Sequence, residues 1–442
     1  ITIGDWSSDV CSSDLAFSRF ERRMQKSLLS RNPIVTHGLD CFWLLEDSSL
    51  AHCFLGEEHP TTETIPFPIV LKDVQGLECD SRGRYLCIFE SKRVVIVHFS
   101  LQKQGMKRSL AREGPLHVSS LELNKSDSSI VCVRCHPRIT DCLVVAFQDG
   151  TLYVYNPLSS LKPVMELTVA RNPLDVCFGS GVGSDQFCLY VLDASPCISI
   201  VTPFPIVGYE LPFDAYAKLL RKGHAWLLSW EEEGGEAGHL MQTTADTKWG
   251  TRVIPLWRGD ASIQKGRLFI EPVSVDATSI CCVANDHRLS VWIRFLDEPL
   301  DEESLVLVRS LSFASMGCLG IDRDVVPFSY LLRFADRVVN LRLPWLYDMV
   351  DATTQVESGD APIQNNPVAS ALTPQYVTVM EEAPKGRMIV ANSPFLGHVL
   401  CQVAEKTVTI RRMDKSPLST ISLSGVDVGI QRGKEVALGG GK

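Results

Sequence analysis

Seven times along the chain an apolar run, a short polar turn and a second run follow one another. The segments are Cys41–Leu55, Tyr85–Phe99, Leu143–Pro157, Leu189–Pro203, Ile280–Arg294, Tyr330–Pro344 and Val399–Met413. In each, the turn falls about five residues in and carries Asp, Glu, Ser, Asn or Gly, residues that tolerate positive φ or bond their own backbone. The flanks are rich in Val, Ile, Leu, Tyr and Phe, which fit a pleated, half-buried surface. Alternation is clearest at Thr151–Tyr155, where a period of two puts Leu152 and Val154 on one face and Tyr153 and Tyr155 on the other. Each segment therefore reads as a β-hairpin.

Successive hairpins start 44, 58, 46, 91, 50 and 69 residues apart, against roughly 40–50 residues for a repeated four-stranded unit. Single strands such as Val118–Leu123, Ile130–Cys135, Pro163–Val169 and Leu268–Val273 fall between them and can complete each unit. The pattern predicts an all-β fold, a divergent WD40-like seven-bladed β-propeller over residues 34–425, whose blades hide their edges against one another. Tandem β-sandwiches are the rival, but their strands need not recur as one motif.

The 91-residue interval predicts a helical insertion. A helix over Phe213–His224 is started by Pro212 and stopped at Gly223, and the acidic, glycine-rich Glu231–Gly235 reads as a surface loop. Trp226–Trp230 and Arg252–Trp257 are further strand candidates there, and Asp351–Thr373, with Pro362 and Pro367, reads as a linker. Residues 1–15 repeat Ser-Ser-Asp and resemble translated sequencing-adapter sequence, so they are left out of the fold. Residues 426–442 are expected to form an unstructured tail.

Composition narrows the functional classes. The 442 residues are 45% hydrophobic and 21% charged, with a mean hydropathy of +0.07, an ordinary globular balance. The net charge of −9 stays acidic when Asp5, Asp9 and Asp14 are set aside, so no global field drives the chain onto nucleic acid or anionic lipid. No apolar run approaches the roughly 20 residues of a membrane-spanning helix. Of 15 cysteines, Cys41, Cys87, Cys188, Cys281, Cys282 and Cys401 sit in apolar runs, which suits small buried thiols in a reducing compartment better than a disulfide framework.

No constellation carries obvious chemistry. Cys132-Val-Arg-Cys135 with His136 invites a zinc reading, but no second ligand pair follows beyond Cys142, and residues three apart on a strand point to opposite faces. Gly179–Ser184 has the glycine content of a phosphate loop without its Lys-Ser/Thr ending, and reads as a flexible turn between strands. Glu231, Glu232 and Glu233 read as a solvated charge run rather than an acid–base pair. His37, His52, His98, His117, His224 and His398 have no nucleophile motif nearby. Lys103–Arg108 with Arg112 is the strongest basic patch but lacks interleaved aromatics for stacking bases. The expectation is no catalytic, cofactor or metal site.

Three stretches carry a family resemblance. Ile130–Leu158 resembles the propeller of the nucleoporin 88 family, which includes fungal nucleoporin 82: a strand ending in Trp-His-Pro is followed by a hydrophobic run and a second strand. Here His136 and Pro137 match, and Cys135 replaces the tryptophan. Phe187–Ile206 is similar to the family's strand–turn–strand that runs into a proline-rich stretch at Pro203, with Ser195-Pro196 where a glycine turn is more usual. Tyr330–Leu346 resembles the segment closing in Leu-Pro-Trp-Leu, matched by Leu343, Pro344, Trp345 and Leu346. The resemblance implies a non-enzymatic scaffold on the cytoplasmic side of the nuclear pore complex. It implies docking of the autoproteolytic domain of nucleoporin 98, pairing with nucleoporin 214 through a coiled coil lying beyond this chain, and support of messenger ribonucleoprotein and protein export. No contact residue transfers, because the docking loops match least. The alternatives are a WD40-like adaptor in another complex and a propeller enzyme with its site in the central channel.

Overall fold

Among the described residues, backbone hydrogen bonding sorts the strands into seven four-stranded antiparallel sheets and one small three-stranded sheet. The structure is a computed structural model describing residues 34–422, apart from 55–61, 100–116, 222–230, 243–249, 297–304, 347–373, 381–387, 413–419 and shorter internal stretches. All seven predicted hairpins are present, and each forms the second and third strands of one sheet. The first sheet runs Ile34–His37, Asp40–Leu44, Leu50–Phe54 and Thr62–Ile65, and the second Val74–Cys79, Tyr85–Glu90, Val94–His98 and His117–Ser120. The third comprises Ile130–Cys135, Leu143–Phe147, Thr151–Tyr155 and Pro163–Thr168; the fourth, Pro173–Phe178, Leu189–Asp193, Cys197–Thr202 and Arg252–Arg258. The fifth is Gly266–Ser274, Ala277–Ala284, Arg288–Phe295 and Val306–Ser312, and the sixth Gly320–Arg323, Ser329–Arg333, Val338–Arg342 and Gln375–Met380. Met388–Ser393, Gly397–Ala404, Thr407–Arg412 and Thr420–Ser422 make the seventh.

The side-chain period of two explains how the sheets assemble. In the second sheet Tyr85, Cys87 and Phe89 pack toward the third sheet, while Leu86 and Ile88 pack toward the first. In the third sheet Tyr153 and Tyr155 face the second, and Leu152 and Val154 face the fourth. Two further cores join the fourth sheet to the fifth and the fifth to the sixth. A strand buried on both faces reads as a continuous apolar run, which is why the second strands look unbroken in the sequence. The first strands of sheets one to five also contact one another in succession. Radial sheets packed face to face, with their first strands at the hub, are the arrangement of a β-propeller.

The insertion sits between the third and fourth strands of the fourth sheet. Its helix spans Phe213–Arg221, and its Tyr216 and Leu219 join Met241 in the core between sheets three and four. Glu231–Gly235 is a strand rather than a loop: it pairs with Gly238–Gln242, which pairs on its other edge with Glu210–Pro212. The backbone ladder has overridden the weak β-propensity of three Glu and two Gly. Arg252–Arg258, predicted to Trp257, is the outer strand of the fourth sheet. The candidates Trp226–Trp230, Asp351–Thr373 and the basic patch Lys103–Arg112 lie outside the described residues, as do residues 1–15 and 426–442.

Candidate interaction platform

Charged side chains on the first strands tie sheets two to six together in succession. Glu78 of the second sheet accepts a bond from the Cys135 N–H of the third, at 3.4 Å. Asp175 of the fourth accepts from the Leu268 N–H of the fifth, at 2.9 Å, and Glu271 of the fifth accepts from the Phe328 N–H ahead of the sixth sheet's second strand, at 2.7 Å. Arg134 extends this belt both ways. Its Nη2 lies 2.6 Å from Asp175 Oδ1, its Nε donates to the Val176 carbonyl at 3.1 Å, and its Nη1 is 3.9 Å from Glu78 Oε2. Burial pushes the Glu78 carboxyl above its ordinary value, with Arg134 pulling the other way. Burial disfavours the Arg134 cation, but Asp175 and Glu78 outweigh it and hold its pKa above normal.

A second cluster is wholly interior, between sheets four and five. Asp185, in the 3-10 turn Gly183–Phe187, has no solvent exposure, and Arg294 on the fifth sheet is 2% exposed. Arg294 Nη1 donates to Asp185 Oδ1 at 2.9 Å and to the Tyr190 hydroxyl at 2.6 Å, and that hydroxyl donates to Asp185 Oδ1 at 2.5 Å. Asp185 Oδ2 accepts from the Ser180 N–H at 2.6 Å, the Ser180 hydroxyl at 2.7 Å and the Thr278 hydroxyl at 3.1 Å. Burial would lower the Arg294 pKa, but Tyr190, Cys188 and Asp185 raise it on balance. The Gly179–Ser184 stretch, expected as a flexible turn between strands, does connect the strands Pro173–Phe178 and Leu189–Asp193. It is fastened by Asp185, and a Cβ on Gly179 would lie 2.0 Å from the Asp185 carbonyl oxygen. A network this enclosed cannot meet a substrate; its chemistry is to lock two sheets together.

Of the five positions that carry the resemblance, three are buried. His136 is 2% exposed; its Nδ1 accepts from the Arg138 and Ile139 N–H groups at 3.2 and 3.1 Å, and its ring packs edge-on against Phe178 of the fourth sheet. Burial pulls its pKa down to about 3, so it is neutral at physiological pH. Pro137 is exposed. Pro203 follows a cis peptide bond and is buried, while Pro344 is half-buried and Trp345 lies in the core between sheets five and six. These five positions are spread over several sheets and form no common site. Cys132 and Cys135 enter the cores on opposite faces of their strand. Among the described residues no group of three or more His, Cys, Asp or Glu could hold a metal ion, and no helix is long and apolar enough to cross a membrane.

One accessible concavity of about 570 Å³ opens between sheets three and four, lined by Thr168, Asp193, Cys197, Ser199, Pro255 and Arg258 among others. Asp193 is 1% exposed, and burial pushes its carboxyl up to about 7. No local motif pointed to it, nor to Asp185, Arg294, Glu78 or Arg134. The one available signal was a polar residue at the end of an apolar run, Leu189–Asp193.

Radial four-stranded antiparallel sheets, tied to one another by polar side chains among the described residues, define a β-propeller. Comparison with known proteins agrees on the fold. No family model matches the chain, and no curated protein matches it. Among solved structures, a chain of the Chaetomium thermophilum heterotrimeric Nup82 NTD–Nup159 TAIL–Nup145N APD complex superposes with a TM-score of 0.63 at 10% identity, covering 84% of this chain and 93% of that one. A chain of the yeast heterotrimeric Nup82–Nup159–Nup116 nucleoporin complex gives 0.59 at 13% identity, covering 87% and 98%. The propeller is therefore Nup82-like in fold.

Proposed function

We propose that the chain is a structural, non-enzymatic nucleoporin whose propeller docks other nucleoporins on the cytoplasmic face of the nuclear pore complex and supports messenger RNA and protein export. The observation that carries this reading is the likeness, over at least 84% of the chain, to chains from two nucleoporin heterotrimers. The residues His136, Pro137, Pro203, Pro344 and Trp345 support it as family-signature positions. Its partners on this reading are the autoproteolytic domain of nucleoporin 98, corresponding to the Nup145N and Nup116 components of those complexes, and nucleoporin 214, corresponding to Nup159. Loops carried on a rigid scaffold would bury a partner over about 1,200–2,000 Å² in total, the size of a stable interface.

The test is co-expression with the autoproteolytic domain of nucleoporin 98, followed by size-exclusion chromatography, and imaging of a fluorescently tagged chain in cells. Co-elution of the two components and a nuclear-rim signal are expected. A folded chain that elutes alone and fills the cytoplasm would refute the proposal.

A further inference from the structure

Residues in register across the fourth sheet place an acid, a thiol and a base in one row. Leu189 pairs with Val201 and Leu192 with Ile198, so the same register sets Asp193 opposite Cys197 at the mouth of the hairpin. Cys197 in turn pairs with Arg258 on the outer strand. Directly opposed residues share a face, with Cβ atoms about 4.5–5.5 Å apart. All three line the 570 Å³ concavity between sheets three and four.

This end of the face departs from its own pattern. Leu189, Val191 and Val201 fill the core between those sheets, yet the next positions of the row are Asp193, Cys197 and Ser199. Asp193 Oδ1 is buried and has no hydrogen-bond partner among the described residues. A core position carrying such a carboxyl beside an open space has been given up as packing. Cys197 is a half-buried thiol, with Sγ 3.5 Å from the Ser199 hydroxyl. The other half-buried thiols, Cys79, Cys177 and Cys318, do not line the concavity, and seven more described cysteines are buried, among them Cys132, Cys142 and Cys282, whose pKa values burial raises.

We propose that Cys197 is a reactive thiol that takes part in exchange with a small anionic disulfide of the glutathione class. Asp193 accepts its proton and Arg258 faces the incoming carboxylates. The step balances: the thiol proton passes to the Asp193 carboxylate, and the Cys197 thiolate attacks one sulfur of the disulfide. That S–S bond breaks as the new one forms. Cys197 is oxidised, and the departing half leaves as a thiolate that takes up a proton. A carboxyl titrating near 7 is suited to this transfer at neutral pH. Cys197 on the hairpin and Arg258 on the outer strand are the other titratable and charged groups that line the same concavity, to which, among the described residues, the third sheet contributes Thr168 and Val169.

The experiment incubates the whole folded chain with glutathione disulfide, quenches with acid and maps modified peptides by mass spectrometry from pH 6 to 9. Cys197 is expected to react at least tenfold faster than Cys79, Cys177 and Cys318, with the rate rising through an inflection near pH 7. Asp193→Asn should slow it about tenfold and move the inflection toward the ordinary thiol value of about 8.5, whereas Asp193→Glu should keep the early inflection. Arg258→Gln should slow reaction with glutathione disulfide but not with neutral 2-hydroxyethyl disulfide. Equal rates at the four half-buried cysteines, or an unchanged rate and pH profile in Asp193→Asn, would overturn the assignment. If Asp193→Asn fails to fold, loss of the early inflection in folded Asp193→Glu would do the same.

Discussion

Replacing Arg294 by Met tests whether the buried cluster locks sheets four and five. The substitution keeps an unbranched chain but removes the only cation bonded to Asp185 among the described residues. Asp185 would lose a charge-assisted bond of 2.9 Å, and the Tyr190 hydroxyl a contact of 2.6 Å. The orphaned carboxylate has no exposure to water. Breaking a buried pair by deleting one partner costs about 3–5 kcal/mol, because the remaining charge is uncompensated. The four other donors to Asp185 place the expected loss toward the lower end, about 3 kcal/mol. Urea unfolding followed by circular dichroism, with Asp185→Asn and the double variant completing a cycle, gives both the cost and the coupling. The double variant should cost about 2 kcal/mol less than the sum of the singles. A loss below about 1 kcal/mol for Arg294→Met, or additivity within about 0.5 kcal/mol, would refute the lock.

Three further outcomes follow from the same contacts. Gly76→Ala would put a methyl 2.2 Å from the Phe89 ring, which lies in the core between sheets two and three, and should lower stability by about 1–3 kcal/mol through overpacking, read as a lower urea midpoint with an unchanged slope. The Asp193 carboxyl titrates at about 7 in the folded chain against about 3.9 unfolded, so the folded state holds its proton more tightly between those values. Its contribution is therefore lost as pH rises from about 4 to about 7, and stability measured across that range should fall less steeply in Asp193→Asn. His136 acts in the opposite sense, since its pKa is about 3 when folded and about 6.5 when unfolded. Its contribution disappears as pH falls from about 6.5 toward 3, and His136→Leu should unfold with less acid sensitivity in that range, at a cost of about 2 kcal/mol for the bare Arg138 and Ile139 N–H groups.

What could be read from the chain was its local order. A hairpin is short-range, so seven apolar–turn–apolar segments located the middle of all seven sheets, and Ile130–Cys135 was placed to the residue. Alternation sorted Leu152 and Val154 from Tyr153 and Tyr155, and it sent Cys132 and Cys135 to different cores. The locks could not be found this way. Asp185 and Arg294 are 109 positions apart, and Asp175 meets Leu268 across 93; nothing near either residue in sequence announces its partner. Asp185 also sits in a glycine-rich stretch whose composition suggests looseness, while its bonds to Ser180 and Thr278 make that stretch a fastening. Glu231–Gly235 misled for the converse reason. Its composition suits a loop, and only the neighbouring Gly238–Gln242 strand makes it a ladder.

Titration calorimetry of the purified, folded chain with the autoproteolytic domain of nucleoporin 98 bears most directly on the scaffold assignment. A saturable one-to-one heat is expected, together with the negative heat-capacity change of buried apolar surface. A chain that unfolds cooperatively on heating yet gives no binding heat at any temperature would contradict it.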